Sequence, residues 1–220
     1  MSKIYDPSKV PVPQLILDYC ERDPRGLYVP FVVLKTDDGK YHFKINDQYK
    51  SRICMMENLC SICGQKLTED NMWLLGGIGS AFDENGAYID LPIHRECGHY
   101  ALQVCPYMAV RNYNSTLDLE KLKMTLPGTS LHNPTVDQDR LPLFVFIRPS
   151  FIKHGNVLRG DTYVRAIPPL LDVEFWRDGE IIDSQEDVNI YIKGTKWEKY
   201  LYSINQYFTK QSQYIDYEDV

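Results

Sequence analysis

Two short segments carry the residues of this chain that could do metal chemistry: Cys60-Ser61-Ile62-Cys63-Gly64 and His94-Arg95-Glu96-Cys97. Thiolate and imidazole are ligands that suit zinc, and the 30 residues from 64 to 93 leave room for one ion to clamp two elements of a small domain. A Cys-x-x-Cys followed by glycine makes a tight turn on which two sulfurs converge, and Gly64 tolerates the positive φ that such a turn needs. His94 and Cys97, three residues apart, share one face of a helix beginning near Pro92. Four ligands of this kind close a tetrahedral sphere and leave no water position, which is the chemistry of a structural zinc.

Competing chemistries fit the same residues less well. A thioredoxin-like pair opens a helix after a buried strand, whereas Met55 to Leu59 read as the end of a helix and Gly64 is a poor residue for continuing one. An HNH-type nuclease needs a histidine between the ligand halves, and residues 64 to 93 contain none. His94-Arg95-Glu96 matches the His-x-Glu of zinc deaminases, but there the cysteine pair follows the motif, and here it precedes it. Glu96 therefore reads as a solvated first-turn residue whose charge suits the helix dipole. Cys105 lies about 12 Å along a helix from Cys97 and reads as a buried small hydrophobe before Pro106. His99 faces away from Cys97 and reads as a surface or core histidine.

The elements that must position these ligands follow from local pattern. Asp23-Pro24-Arg25-Gly26 is a turn, Leu27 to Leu34 a strand, Asp37-Asp38-Gly39 a hairpin turn and Tyr41 to Ile45 the return strand. A helix from Asn46 or Asp47 toward Leu59 delivers the chain into the knuckle. Trp73 to Leu75 and Ala87 to Ile89 suit two strands of a zinc hairpin, and residues 97 to 110 a helix. The knuckle, hairpin and helix-borne ligand pair together resemble a treble-clef zinc finger. Gly76-Gly77-Ile78-Gly79-Ser80 reads as a flexible turn, because it lacks the remaining residues of a nucleotide-binding loop.

Residues 113–140 read as a connector of mixed polarity, with a short helix near Leu117 to Lys123, between a zinc-binding region at 1–112 and an ordered region at 141–220. In the latter, Leu141 to Ile147, Asp161 to Ile167 and Leu171 to Trp176 suggest three strands of a small antiparallel sheet. Ser184 is a good N-cap, Gly194 a helix stop, and Trp197, Leu201, Ile204 and Phe208 mark a final helix before an acidic tail that should fray. The fold class expected is α+β.

With 44% hydrophobic residues the 220-residue chain can bury a substantial core. It has no run of membrane-span length and no apolar signal segment at Met1 to Asp6, and its cysteines show no disulfide pattern, so a reducing cytoplasm is expected. A net charge of -6 and a pI near 5.4 oppose non-specific nucleic-acid binding. Arg148, Lys153, Arg159 and Arg165 nevertheless fall in one stretch with only Asp161 opposing them, a candidate anion or nucleic-acid contact, while Phe151 and Tyr163 read as strand-pattern residues.

Several segments together resemble a family of small zinc-binding proteins encoded by bacteriophages and by actinobacterial and other bacterial genomes. They are Arg25-Gly26 through Val33, Phe43 to Asp47, Leu59 through Leu67, His94 through Ala101, Cys105-Pro106-Tyr107, and Val173 through Glu180. The glycine-rich stretch departs from the Gly-Pro of the family form. The resemblance implies a metal site and a phage or prophage setting, and it names no reaction. The function expected is a zinc-stabilised interaction or adaptor protein engaging a host or phage protein in the bacterial cytoplasm. The alternatives are a nucleic-acid-binding protein using the 148–165 stretch, or a zinc-dependent enzyme with Glu96 and His99 near the ion.

Overall fold

The run Leu143-Phe144-Val145-Phe146-Ile147 has no polar residue, as a strand buried on both faces requires. In the computed structural model, which describes residues 6–110, 141–155 and 163–218, with side chains through Thr209, this run leads into β6 (Phe144–His154). Its side chains go alternately to two hydrophobic clusters. Val145 and Ile147 pack with Val173, Phe175, Val188, Ile192 and Ile204 on one side. Phe144 and Phe146 pack with Trp73, Ile93, Cys97, Leu102 and Trp176 on the other. The sheet therefore lies between the Cys/His region and the C-terminal helices, in an α+β architecture.

Four antiparallel strands make this sheet, in the order β5-β6-β7-β8, where β5 is Leu74–Gly77, β7 is Val164–Arg177 and β8 is Glu180–Ile181. Leu74 lies opposite Ile147, Phe144 opposite Trp176, and Trp176 opposite Ile181. Asp178 and Gly179 join β7 to β8 with φ of 51° and 78°, the left-handed pair that an Asp-Gly hairpin turn favours. Because β5 precedes the 113–140 segment and β6 follows it, one hydrogen-bonded sheet unites residues from both sides of the connector. That connector and its expected helix lie outside the described residues.

Smaller hairpins flank the Cys/His region. Helix α1 (Gln14–Tyr19) buries Ile16 against the cysteine cluster, and β1 (Glu21–Arg22) pairs with β2 (Tyr28–Val29). The turn between them is organised by the buried Asp23 carboxylate, which accepts from the backbone of Arg25 and Leu27, both at 2.9 Å. Strands β3 (Val33–Lys35) and β4 (Tyr41–Asn46) form the expected hairpin, with Gly39 at φ +81° in its turn. The single strand expected over Leu27 to Leu34 is instead broken between β2 and β3. The amides of Phe31 and Val32 are drawn off to the carbonyls of Ile62 and Ser61, at 2.8 and 3.1 Å, so this segment clasps the knuckle. Helix α2 (Gln48–Glu57) starts on the Asp47 carboxylate, which accepts from Tyr49 and Lys50, and stops at Asn58 with φ 50°.

Three further expectations are corrected. Trp73 to Leu75 and Ala87 to Ile89 do not pair with each other: Trp73 bridges Ile93, β5 joins β6, and Tyr88 bridges Val164. Residues 76–80 are the end of β5 and the start of helix α3 (Ile78–Phe82), not a flexible turn. The glycines there serve close packing, since a Cβ on Gly76 would meet the Tyr88 ring at 2.8 Å and one on Gly79 the Trp197 ring at 2.9 Å. Leu171 to Trp176 is not a third strand but the second half of the 14-residue β7, which runs through Pro168-Pro169.

Helices α4 (Arg95–Val104) and α5 (Pro106–Ala109) follow the second ligand pair. At the C-terminal end, α6 (Gln185–Ile192) is capped by Ser184, whose hydroxyl accepts from Asp187 N at 3.3 Å, and Gly194 at φ +77° turns the chain away. Helix α7 (Leu201–Glu218) buries Ile204, stacks Phe208 on Phe175 at 5.4 Å, and continues into the acidic segment expected to fray. Among the described residues no helix is long and apolar enough to cross a membrane.

Candidate metal centre

Local backbone chemistry builds the knuckle. After the left-handed stop at Asn58, Leu59 pairs with Lys66, Cys60 N donates to Gln65 O and Gly64 N to Cys60 O, both at 2.8 Å. Gly64 sits at φ +72°, and a Cβ there would meet the Phe31 ring at 2.9 Å, so both conformation and space call for glycine. Ser61 fastens this turn to the second ligand segment: its amide donates to Pro92 O at 3.1 Å and its hydroxyl to Leu91 O at 3.2 Å.

The second segment is set by the sheet. Trp73 and Ile93 exchange two backbone hydrogen bonds of 2.9 Å, placing His94 at the N-cap of α4 and Cys97 in its first turn. Asn71 caps this helix from outside, its side-chain oxygen accepting from Arg95 N at 3.0 Å. Gly98 lets α4 lie directly on the Phe146 ring, where any Cβ would collide.

Cys60, Cys63, His94 and Cys97 are thereby brought together, all buried, with their ligand atoms within 4.8 Å of one another. A zinc with bonds of about 2.3 Å to sulfur would set neighbouring ligands about 3.8 Å apart, within the spread of this cluster. His94 turns Nδ1 toward Cys63 Sγ at 3.3 Å, while Nε2 meets the Lys66 carbonyl at 3.0 Å. A metal-bound histidine ordinarily directs its other nitrogen to just such an acceptor, which fixes the tautomer and the ring plane. The His94 amide also donates to Cys60 Sγ at 3.5 Å. The donor set of three sulfurs and one nitrogen, without a carboxylate, fits a soft or borderline cation. Such an ion would supply a cross-link between the knuckle and the start of α4.

The acid–base character of the cluster is that of groups sharing protons. Burial opposes ionisation of Cys60, but hydrogen bonds from Cys63, Cys97 and His94 hold its thiol well below the ordinary value. The Cys97 thiol is pushed up, chiefly by its hydrogen bonds to Cys60 and Cys63. Burial disfavours a charged His94, yet its bonds to Cys60 and Cys63 raise it to about 10. Cation binding must displace these protons, so it is coupled to pH.

A polar mesh surrounds the centre on the sheet side. Glu174 of β7 accepts from Arg95 Nε and Nη2 at 2.9 and 2.7 Å and from Trp176 Nε1 at 2.9 Å, and contacts His99 Nε2 at 2.7 Å. Burial works against its charge, but the bonds from His99, Trp176 and Arg95 hold the carboxyl below its usual range. His99 is thus half-buried and partnered, packed edge-on against Trp176 at 4.9 Å. Glu96 is half-buried rather than solvated and accepts from Asn71 Nδ2 at 3.4 Å. Cys105 is only half-buried, caps α5 and stands apart from the four ligands.

Glu174 and Asn71 are the site residues that sequence reasoning missed. Arg95 and His99, four apart on one helix face, signal a shared acceptor, but nothing local to them points to a strand nearly 80 residues away. Of the basic stretch, Arg148 is neutralised by Asp172 at 2.6 Å, Lys153 and Arg165 lie opposite each other on β6 and β7, and Arg159 lies outside the described residues. A depression of about 390 Å³ lies away from the cysteines, near Met108 and Tyr191; its one cation, Arg177, already donates to Pro142 O and covers the Tyr191 ring. No family model, curated protein or solved structure matches the chain.

Proposed function

We propose that this chain is a non-catalytic interaction or adaptor protein of phage or prophage type, working in the bacterial cytoplasm, whose Cys60-Cys63-His94-Cys97 centre holds a structural zinc. The observation that carries this reading is the centre itself: four buried soft donors, mutually within 4.8 Å, sufficient to complete a tetrahedral sphere. A catalytic zinc keeps one position open for water or substrate. Here the fourth position belongs to a histidine already oriented by the Lys66 carbonyl. With the ion enclosed, function falls to the outer surface, as in a binding protein. The phage setting is supported by the motif resemblance carried by residues 59–67, 94–101 and 173–180.

Two measurements test it. Elemental analysis of natively purified protein should give one zinc per chain, and a cobalt-substituted sample should show a tetrahedral thiolate spectrum that added azide or cyanide leaves unchanged. Affinity capture from a bacterial host lysate should retain a stoichiometric protein through nuclease treatment. Zinc with an exchangeable ligand, together with an empty column, would overturn the proposal in favour of a metalloenzyme.

A further inference from the structure

The outer halves of β6 and β7 form a ribbon beyond the end of β5, which reaches only as far as Ile147, and Tyr88 bridges Val164 at its far end. Register places Phe151 opposite Ile167 and Lys153 opposite Arg165, with Ile152 opposite Ala166 between them. Because side chains alternate across a strand, Phe151, Ile167, Lys153 and Arg165 share one face, while Ile152 and Ala166 belong to the core on the other. The outward face is unusual for its apolar content: Phe151 is 65% exposed and Ile167 37%. Its two cations have no carboxylate partner among the described residues, in contrast to Arg148 at the ribbon's base, which Asp172 neutralises. Arg165 is half-buried, its buried Nε has no acceptor among the described residues, and its guanidinium lies 5.9 Å from the Tyr163 ring centre.

We propose that this face, Phe151 and Ile167 beside Lys153 and Arg165, is a docking platform for single-stranded nucleic acid. An exposed aromatic ring on an antiparallel sheet offers a base a stacking surface, and cations two residue pairs along the strands meet the adjoining phosphates. The charge pattern selects this occupant. Two cations without a carboxylate partner among the described residues suit a phosphodiester strand, whereas the whole chain's net charge of -6 repels a long duplex lying across the whole surface. Unstacked bases are also needed to cover Phe151, and a duplex does not offer them. This platform is independent of the protein-adaptor reading and of the zinc.

Fluorescence anisotropy with a labelled oligothymidylate tests the proposal on the full chain. Binding at low salt should weaken with rising salt, and the matching duplex should bind more weakly. Phe151→Ala should weaken binding about tenfold, and Lys153→Ala should reduce the salt slope by about 0.7. Phe151 is largely exposed, so its variant should melt at the wild-type temperature, which separates lost contact from lost fold. The proposal is overturned if the oligonucleotide does not bind, if Phe151→Ala and Lys153→Ala bind as wild type does, or if the duplex or polyglutamate competes as well as the single strand.

Discussion

The two faces of the central sheet solve the same burial problem with different chemistry. On the face toward α6 and α7, aliphatic and aromatic side chains fill most of the interface: Val145, Ile147, Val173 and Phe175 meet Val188, Ile192 and Ile204, Phe175 stacks on Phe82 and Phe208, and one polar link runs from the Val173 amide to the Tyr207 hydroxyl at 2.9 Å. On the opposite face, the elements are short and rich in turns, three of the buried core residues are the cysteines of the metal centre, and Glu174 ties α4 to β7 through Arg95 and His99. An 18-residue helix such as α7 can bury enough apolar area to hold itself in place, at about 25 cal/mol per Å². A 10-residue α4 following a tight knuckle offers less, and the half-buried Glu174 ties it to the sheet, while an ion held by the four ligands would add a further cross-link.

That contrast can be broken most strongly at a ligand. Cys63→Ser should lose zinc and destabilise the protein by on the order of 5 kcal/mol or more. Elemental analysis combined with denaturant unfolding checks this, and a variant with undisturbed stability would sink the metal-braced account. Phe175→Ala, on the other face, should cost about 3–5 kcal/mol by leaving a cavity between two stacked rings. Its zinc content should nevertheless remain at one per chain, and a loss of zinc there would show that the two faces are not separately maintained.

Glu174→Gln probes the polar link between them and should cost about 1–3 kcal/mol. The folded carboxyl is held low, so its stabilising contribution is fully present above the unfolded value of about 4.3 and is lost as pH falls through the folded value. The wild-type advantage over Glu174→Gln should therefore shrink as the pH falls below about 4. An advantage that chemical denaturation finds undiminished in acid would assign the effect to another group. The smallest change expected is at the α6 cap: Ser184→Ala should cost about 1 kcal/mol, visible as a lower unfolding midpoint with unchanged zinc.

Much of the local architecture was legible. The Asp47 cap, the Asp37-Asp38-Gly39 turn, the Gly64 knuckle, the Ser184 cap and the Gly194 stop are all signals written within three or four residues, where backbone stereochemistry and side-chain reach decide the outcome. The strands were less legible. Asp161 to Ile167 and Leu171 to Trp176 read as two strands, yet β7 passes through the intervening Pro168-Pro169 beside a register shift in its partner. Leu27 to Leu34 reads as one strand, yet its central amides serve the knuckle. Phe151 reads as a strand-pattern residue, and only the register and packing show that it faces outward.

The sequence by itself determined the donor set at Cys60, Cys63, His94 and Cys97, because thiol and imidazole chemistry and the geometry of a turn and a helix face are properties of a few neighbouring residues. Only the tertiary structure decided that Glu174 answers Arg95 and His99, that β5 joins β6 instead of pairing with residues 87–89, and that Arg148 meets Asp172 while Lys153 and Arg165 have no carboxylate partner among the described residues. Those choices compare many chemically equivalent partners far apart in the chain. Packing of the whole sheet, rather than any local preference, selects among them.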